Sequence, residues 1–83
     1  MATTRYDLEV NGDWVEVAAS GADFLLQNVG YGSVKVTLAD SAPGAGAAYH
    51  VLPAGQAMLR AGSGAVYVKA YDGNQASAVV CSA

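Results

Sequence analysis

Ser33-Val34-Lys35-Val36-Thr37-Leu38 is the stretch that decides the fold class, because apolar and polar side chains alternate along it without a break. Val34, Val36 and Leu38 share one face of this stretch. The polar residues Lys35 and Thr37 share the other face. Successive side chains of a β-strand point to opposite faces, so the pattern predicts a strand with one face in a core and the other toward solvent or a partner.

Similar strand patterns recur on both sides of this stretch. Before it they lie at residues 6–10, 14–17 and 23–29, and after it at 49–52, 56–60, 66–71 and 76–81. Turn signals rich in Gly, Pro, Asn and Asp separate these segments about every ten residues, as in small all-β domains. The sequence therefore predicts an all-β fold: a single-domain β-sandwich or barrel over residues 1–83, with seven to eight short, mostly antiparallel strands.

The Asn11-Gly12 dipeptide between the first two segments is a strong hairpin signal. A type I′ turn needs positive φ at both central residues, which Asn and Gly tolerate best. The sequence therefore predicts that residues 6–10 and 14–17 form a local hairpin.

Composition predicts a protein that associates with a partner, most simply with copies of itself. Hydrophobic residues make up 53% of the chain and charged residues only 13%, against about 25% charged residues in an ordinary soluble domain. A chain of 83 residues buries only about 60% of the surface that its unfolded form exposes. The net charge of −3 and the scattering of four basic residues argue against nucleic-acid binding.

The sequence predicts a soluble chain that is made in a cytoplasm. The residues from Met1 to Asp7 contain no apolar core of a signal peptide, and no run approaches the roughly 18 apolar residues of a membrane span. Cys81 is the only cysteine, so an intrachain disulfide is excluded. We expect no membrane partner.

Catalytic and metal chemistry have little support in the sequence, and we expect no enzyme activity, metal or cofactor. Nucleophilic catalysis needs a nucleophile and an activating base. The chain has a single histidine, His50, and a single cysteine, Cys81. Gly62-Ser63-Gly64 lacks the lysine and helix of a phosphate-binding loop. The densest acidic set is interpreted as a solvated face rather than a calcium site: Asp7, Glu9, Asp13 and Glu16.

Two segments are candidate contact surfaces. Tyr67, Lys69 and Tyr71 share one strand face, which is either a partner surface or ordinary cross-strand packing. Phe24 and Leu25 belong to an apolar run too continuous for simple alternation, so that strand is either buried on both faces or covered by a neighbouring subunit.

The order of elements resembles a group of very small tailed-phage virion proteins. The similarity lies in Trp-Val-Glu-Val at 14–17, Phe-Leu-Leu-Gln-Asn at 24–28, Val-Lys-Val-Thr-Leu at 34–38, Asp-Ser-Ala-Pro at 40–43, Tyr-His-Val-Leu-Pro-Ala-Gly at 49–55 and Val-Tyr-Val-Lys-Ala at 66–70. The resemblance implies a non-enzymatic capsid decoration (cement) protein or a head- or tail-associated module. It implies a homo-oligomer, often a trimer, that binds the major capsid protein or another virion protein.

The alternative is a tail- or fibre-associated module that contacts a host receptor or glycan. Tyr67, Tyr71, Asp72 and Asn74 have the side-chain chemistry of such a site, aromatic rings beside polar groups. In either case the resemblance implies a virion protein made in the host cytoplasm.

Overall fold

The computed structural model describes residues 3–10, 12–21, 23–44, 46–60, 64–71 and 77–83. Its eight strands are β1 (Thr3–Leu8), β2 (Val15–Ala18), β3 (Phe24–Asn28), β4 (Val34–Ala39), β5 (His50–Leu52), β6 (Ala57–Arg60), β7 (Ala65–Ala70) and β8 (Ser77–Ser82). The described ranges contain no helix that could cross a membrane.

The strands form two four-stranded sheets, and every paired neighbour is antiparallel. The first sheet has the order β1-β8-β3-β6, and the second has the order β2-β7-β4-β5. The early strands β1 to β4 thus pair in turn with the late strands β8, β7, β6 and β5. This order is that of an eight-stranded jelly roll, a double-sheet form of the β-sandwich. The all-β prediction is confirmed, and the architecture is a sandwich.

The core lies between the two sheets and is built from alternate residues of both. Along β3 burial alternates strictly, with Phe24 and Leu26 inside and Leu25 outside. Along β4, Val34 and Val36 are 0% and 2% exposed, as their alternation predicts. β7 and β8 lie at the centre of their sheets, and Val66, Val68 and Val79 are fully buried there.

The predicted hairpin between residues 6–10 and 14–17 is wrong. β1 pairs with β8 in the first sheet, whereas β2 pairs with β7 in the second. Gly12 donates its N–H to the carbonyl of Glu9 at 3.0 Å, and its φ is not positive; the positive φ values among the described glycines are 84° at Gly21 and 80° at Gly55. Asn11 lies outside the described residues. The physical reason is that the six-residue ladder between β1 and β8 offers more backbone pairing than a short local hairpin would.

Buried Asn28 at the end of β3 joins the two sheets. It is 0% exposed, and its Nδ2 donates to the carbonyls of Gly32 at 2.8 Å and Leu52 at 2.9 Å. Its Oδ1 accepts a hydrogen bond from the N–H of Gly30 at 3.0 Å and lies 3.4 Å from the Ser77 hydroxyl. Because both amide hydrogens and the oxygen have partners, this buried polar group is fully satisfied.

Candidate contact face

The stripe singled out in the sequence lies on the outer face of the second sheet. Tyr67 and Lys69 are half-buried on the outer side of β7, and Tyr71 follows the strand with 46% of its surface exposed. Their neighbours Val66 and Val68 point into the core with 0% exposure. The stripe is therefore available at the surface.

Strand pairing brings more residues to the same face. Lys35 of β4 lies directly opposite Lys69 of β7. The ring of Tyr49, which precedes β5, meets the ring of Tyr71 edge to face, with the centroids 6.1 Å apart and the planes at 67°. We call the set the aromatic–lysine face and define it by six residues: Trp14, Lys35, Tyr49, Tyr67, Lys69 and Tyr71.

The two lysines of this face contact different aromatic rings. The Lys35 Nζ lies 4.7 Å from the Tyr49 centroid and 5.6 Å from the Tyr71 centroid. The Lys69 Nζ lies 5.9 Å from the Trp14 centroid. Like charges directly opposite each other in a sheet repel, and cation–π contacts within about 6 Å stabilise each ammonium on its own side.

Neither lysine has a carboxylate partner among the described residues. In that part of the chain the one ion pair joins Arg5 and Asp7, on the first sheet. The aromatic–lysine face therefore carries two lysines that form no ion pair within the described residues, on a chain whose net charge is −3. The exposed Glu16 of β2 lies opposite Tyr67 on the same side of the sheet. Chemically, the face suits a partner that offers carboxylates or other anionic groups beside flat apolar surface.

Tyr67 and Trp14 complete the face on the β2 side. Tyr67 lies between Glu16 of β2 and Thr37 of β4 in the strand register. Trp14 is partly buried, and its Nε1 has no hydrogen-bond partner among the described residues. These two rings extend the aromatic surface past Lys69 to the edge of the sheet.

The second candidate segment divides between the core and the surface. Phe24 is 1% exposed and belongs to the hydrophobic core, so it offers no surface to a partner and its selection as a contact residue is corrected. The reason is its place in the β3 alternation. Leu25 points the other way and is 46% exposed on the outer face of the first sheet.

A groove with a volume of about 460 Å³ lies on the first sheet, away from the aromatic–lysine face. It is lined by Arg5, Asp7, Leu8, Glu9, Val29, Gly30, Tyr31, Ser77 and Ala78. Several of its polar groups already have partners. Arg5 pairs with Asp7, and the N–H groups of Val29 and Gly30 both donate to the Ala78 carbonyl. The aromatic–lysine face, whose lysines form no ion pair among the described residues, is a better candidate for a contact than this groove.

The side chains considered for catalysis lie in different sheets. His50 is exposed on β5 of the second sheet, whereas Cys81 is 2% exposed on β8 of the first. Burial raises the pKa of the Cys81 thiol, which keeps it protonated and poorly nucleophilic near neutral pH. Among the described residues no group of three or more His, Cys, Asp or Glu side chains is placed to hold a metal ion. Gly62, Ser63, Asp72 and Asn74 lie outside the described residues.

Sequence reasoning missed Lys35, Tyr49 and Trp14 as members of the face. The sequence places Trp14, Lys35 and Tyr49 in three separate strand segments, and only the pairing of β7 with β2 and β4, and of β4 with β5, brings them to one face. No local signal in the sequence encodes that pairing.

Comparison with known proteins finds no family model that matches this chain and no curated protein that is significantly similar to it.

Proposed function

We propose that this chain is a non-enzymatic structural protein of the capsid-decoration type, which binds an assembled virion head as a homo-oligomer through its aromatic–lysine face. The observation that carries the proposal is the pair Lys35 and Lys69, which contact aromatic rings and form no ion pair among the described residues, on an otherwise acidic chain. Tyr and Trp are enriched among the residues that dominate the energetics of protein interfaces.

The fold supports this proposal by analogy. Jelly rolls are shared by viral capsid domains and by lectins, so the architecture is compatible with both a decoration protein and a glycan-binding module. Lys35, Tyr67 and Lys69 of the face lie on β4 and β7, which pair over six residues. Side chains on paired strands are held in place before binding and lose little conformational entropy on contact.

The size of the molecule limits the area of each contact. A standard partner patch covers about 800 Å², which would take about a sixth of the 4646 Å² surface of this chain. A homo-oligomer presents several copies of the face to a lattice of equivalent sites. Linking such contacts raises the apparent affinity without any new interaction.

The test is co-sedimentation of the purified protein with expanded heads that lack it and, separately, with free capsid subunits. We expect binding to the assembled heads and weak binding to free subunits. The double variant Tyr49→Ser, Tyr71→Ser should lose head binding by about tenfold or more, because it removes two exposed rings of the face.

The matched control is Leu25→Ser, which alters an equally exposed residue on the opposite sheet. It should bind heads like the unaltered protein. If the Leu25 variant loses binding and the tyrosine variant does not, the contact lies on the first sheet and our assignment is wrong. If the protein ignores heads altogether, the decoration proposal fails.

The second candidate function is glycan binding by a tail- or fibre-associated module. The specific observation in its favour is the exposed edge-to-face pair Tyr49 and Tyr71 beside the Lys35 ammonium. Sugar rings stack on exposed aromatic faces, and the ammonium would favour acidic sugars. Retention on a column of host glycans, lost in the same double variant, would support this function over decoration.

A further inference from the structure

The two sheets have four edge strands, and β1 differs from the other three. β5 is three residues long, and β2 and β6 are four each. The register of β2 is also interrupted by an irregularity between Glu16 and Ala18. β1 pairs with β8 over six consecutive residues without a shift, and its other side has no partner strand among the described residues. Short or bulged edges resist further pairing, whereas a long regular edge is a template for another strand.

The outer face of β1 carries charges of alternating sign. The Nε of Arg5 donates to Oδ1 of Asp7 at 3.1 Å, and the two side chains are 61% and 78% exposed. Charged side chains often protect an edge strand by repelling a second copy. Here the strand carries one charge of each sign two residues apart, so repulsion depends on the register in which two copies meet.

Charge selects one register for two antiparallel copies of β1. Two residues that lie opposite each other in an antiparallel pair point to the same face of the sheet. When two copies of one strand pair symmetrically, the two copies of one central residue therefore lie opposite each other. Centring on Arg5 or on Asp7 places two like charges directly opposite each other, which is unfavourable. Centring on Tyr6 places Arg5 of each copy opposite Asp7 of the other copy. That register gives two cross-strand ion pairs that continue the ion pair within each strand.

We propose that β1 of one chain pairs with β1 of a second copy of this chain, antiparallel and centred on Tyr6, to give a continuous eight-stranded sheet. The contact is self-complementary, as a two-fold interface must be. The half-buried Tyr6 would meet Tyr6 of the other copy on the core side, next to an open hollow of about 300 Å³ lined in part by Val17. This surface belongs to the first sheet and leaves the aromatic–lysine face free.

The experiment is sedimentation velocity of the full chain over a concentration series, with two charge-reversal variants, Arg5→Asp and Asp7→Arg. The unaltered protein should form dimers of the 8.4 kDa chain. Each variant alone should associate about tenfold or more weakly, because both cross-strand pairs become pairs of like charge. An equimolar mixture of the two variants should associate like the unaltered protein, because opposite charges then meet across the contact.

The mixture also controls for folding, since misfolded variants would not regain association when combined. The altered side chains are exposed, so each variant should keep the circular dichroism spectrum and melting temperature of the unaltered protein. The inference is overturned if the unaltered protein stays monomeric or forms trimers. It is equally overturned if either variant associates normally, or if the mixture associates no better than its components. A monomeric protein would also contradict the homo-oligomer of the proposed function, whereas head binding by the aromatic–lysine face is measured separately by co-sedimentation.

Discussion

Replacing Asn28 by alanine should lower the free energy of unfolding by more than a typical single substitution does. The amide of Asn28 links the end of β3, in the first sheet, to the Leu52 carbonyl of β5, in the second sheet. It also fixes the turn after β3 through the Gly32 carbonyl and the Gly30 N–H. Asn28→Ala removes all of these bonds at a position with no exposure to water.

The magnitude follows from the hydrogen bonds that are lost, although two of the partners keep another bond. The Gly32 carbonyl retains the Ser77 hydroxyl at 3.0 Å, and the Gly30 N–H retains the Ala78 carbonyl at 3.1 Å. The Leu52 carbonyl has no other donor outside the strand ladder in the described part of the chain. The Asn28 side chain makes four hydrogen bonds, and at about 1 kcal/mol each, with less for the long one to Ser77, their loss costs about 3–4 kcal/mol.

The assay is urea unfolding followed by circular dichroism, with Gln27→Ala as the matched control. Gln27 is the preceding residue of β3 and is exposed, so its replacement should change the free energy of unfolding by less than about 0.5 kcal/mol. Asn28→Ala should lower the melting temperature by roughly 12–30 °C in a domain of this size. If the two variants unfold within about 0.5 kcal/mol of each other, Asn28 does not join the sheets as we describe.

Three further predictions test the packing. Gly30→Ala should lower the melting temperature by more than about 5 °C, because an added Cβ would lie 2.6 Å from the backbone nitrogen of Ala78, whereas Gly44→Ala, with nothing within 4 Å, should leave it unchanged. Val36→Ala should reduce the free energy of unfolding by about 1–3 kcal/mol in urea titrations, because it empties part of the core. Since burial raises the pKa of the Cys81 thiol, the contribution of this thiol to stability should be constant below the ordinary cysteine pKa of about 8.5 and should fall as the pH rises above it. Cys81→Ala should remove that part of the decline, and an unchanged pH profile would contradict the prediction.

The strands could be predicted from the sequence because their signal is local. The alternation of Val34 and Val36 with Lys35 reports which face is buried, and the structure confirms it. Pairing could not be predicted, because it depends on residues far apart in the chain. Asn11-Gly12 favours a local hairpin, but β1 instead pairs with β8, more than sixty residues away in sequence.

The candidate face was only partly predictable for the same reason. Tyr67, Lys69 and Tyr71 lie on one strand, so their common face follows from the period of two. Lys35 and Tyr49 join them only because β7 pairs with β4 and β4 with β5. The sequence alone could not separate Phe24 from Leu25 as a contact residue, because an apolar run looks the same whether a strand is covered by a second sheet or by a partner.

The measurement that tests the proposed contact most directly is hydroxyl-radical footprinting of the tyrosines, with and without expanded heads. Tyr49 and Tyr71 are 42% and 46% exposed on the aromatic–lysine face, whereas Tyr31 is 92% exposed in the turn between β3 and β4 and serves as an internal control. We predict that head binding protects Tyr49 and Tyr71 from oxidation and leaves Tyr31 unchanged. Bound protein in which Tyr49 and Tyr71 are oxidised as fast as in the free protein would contradict the account.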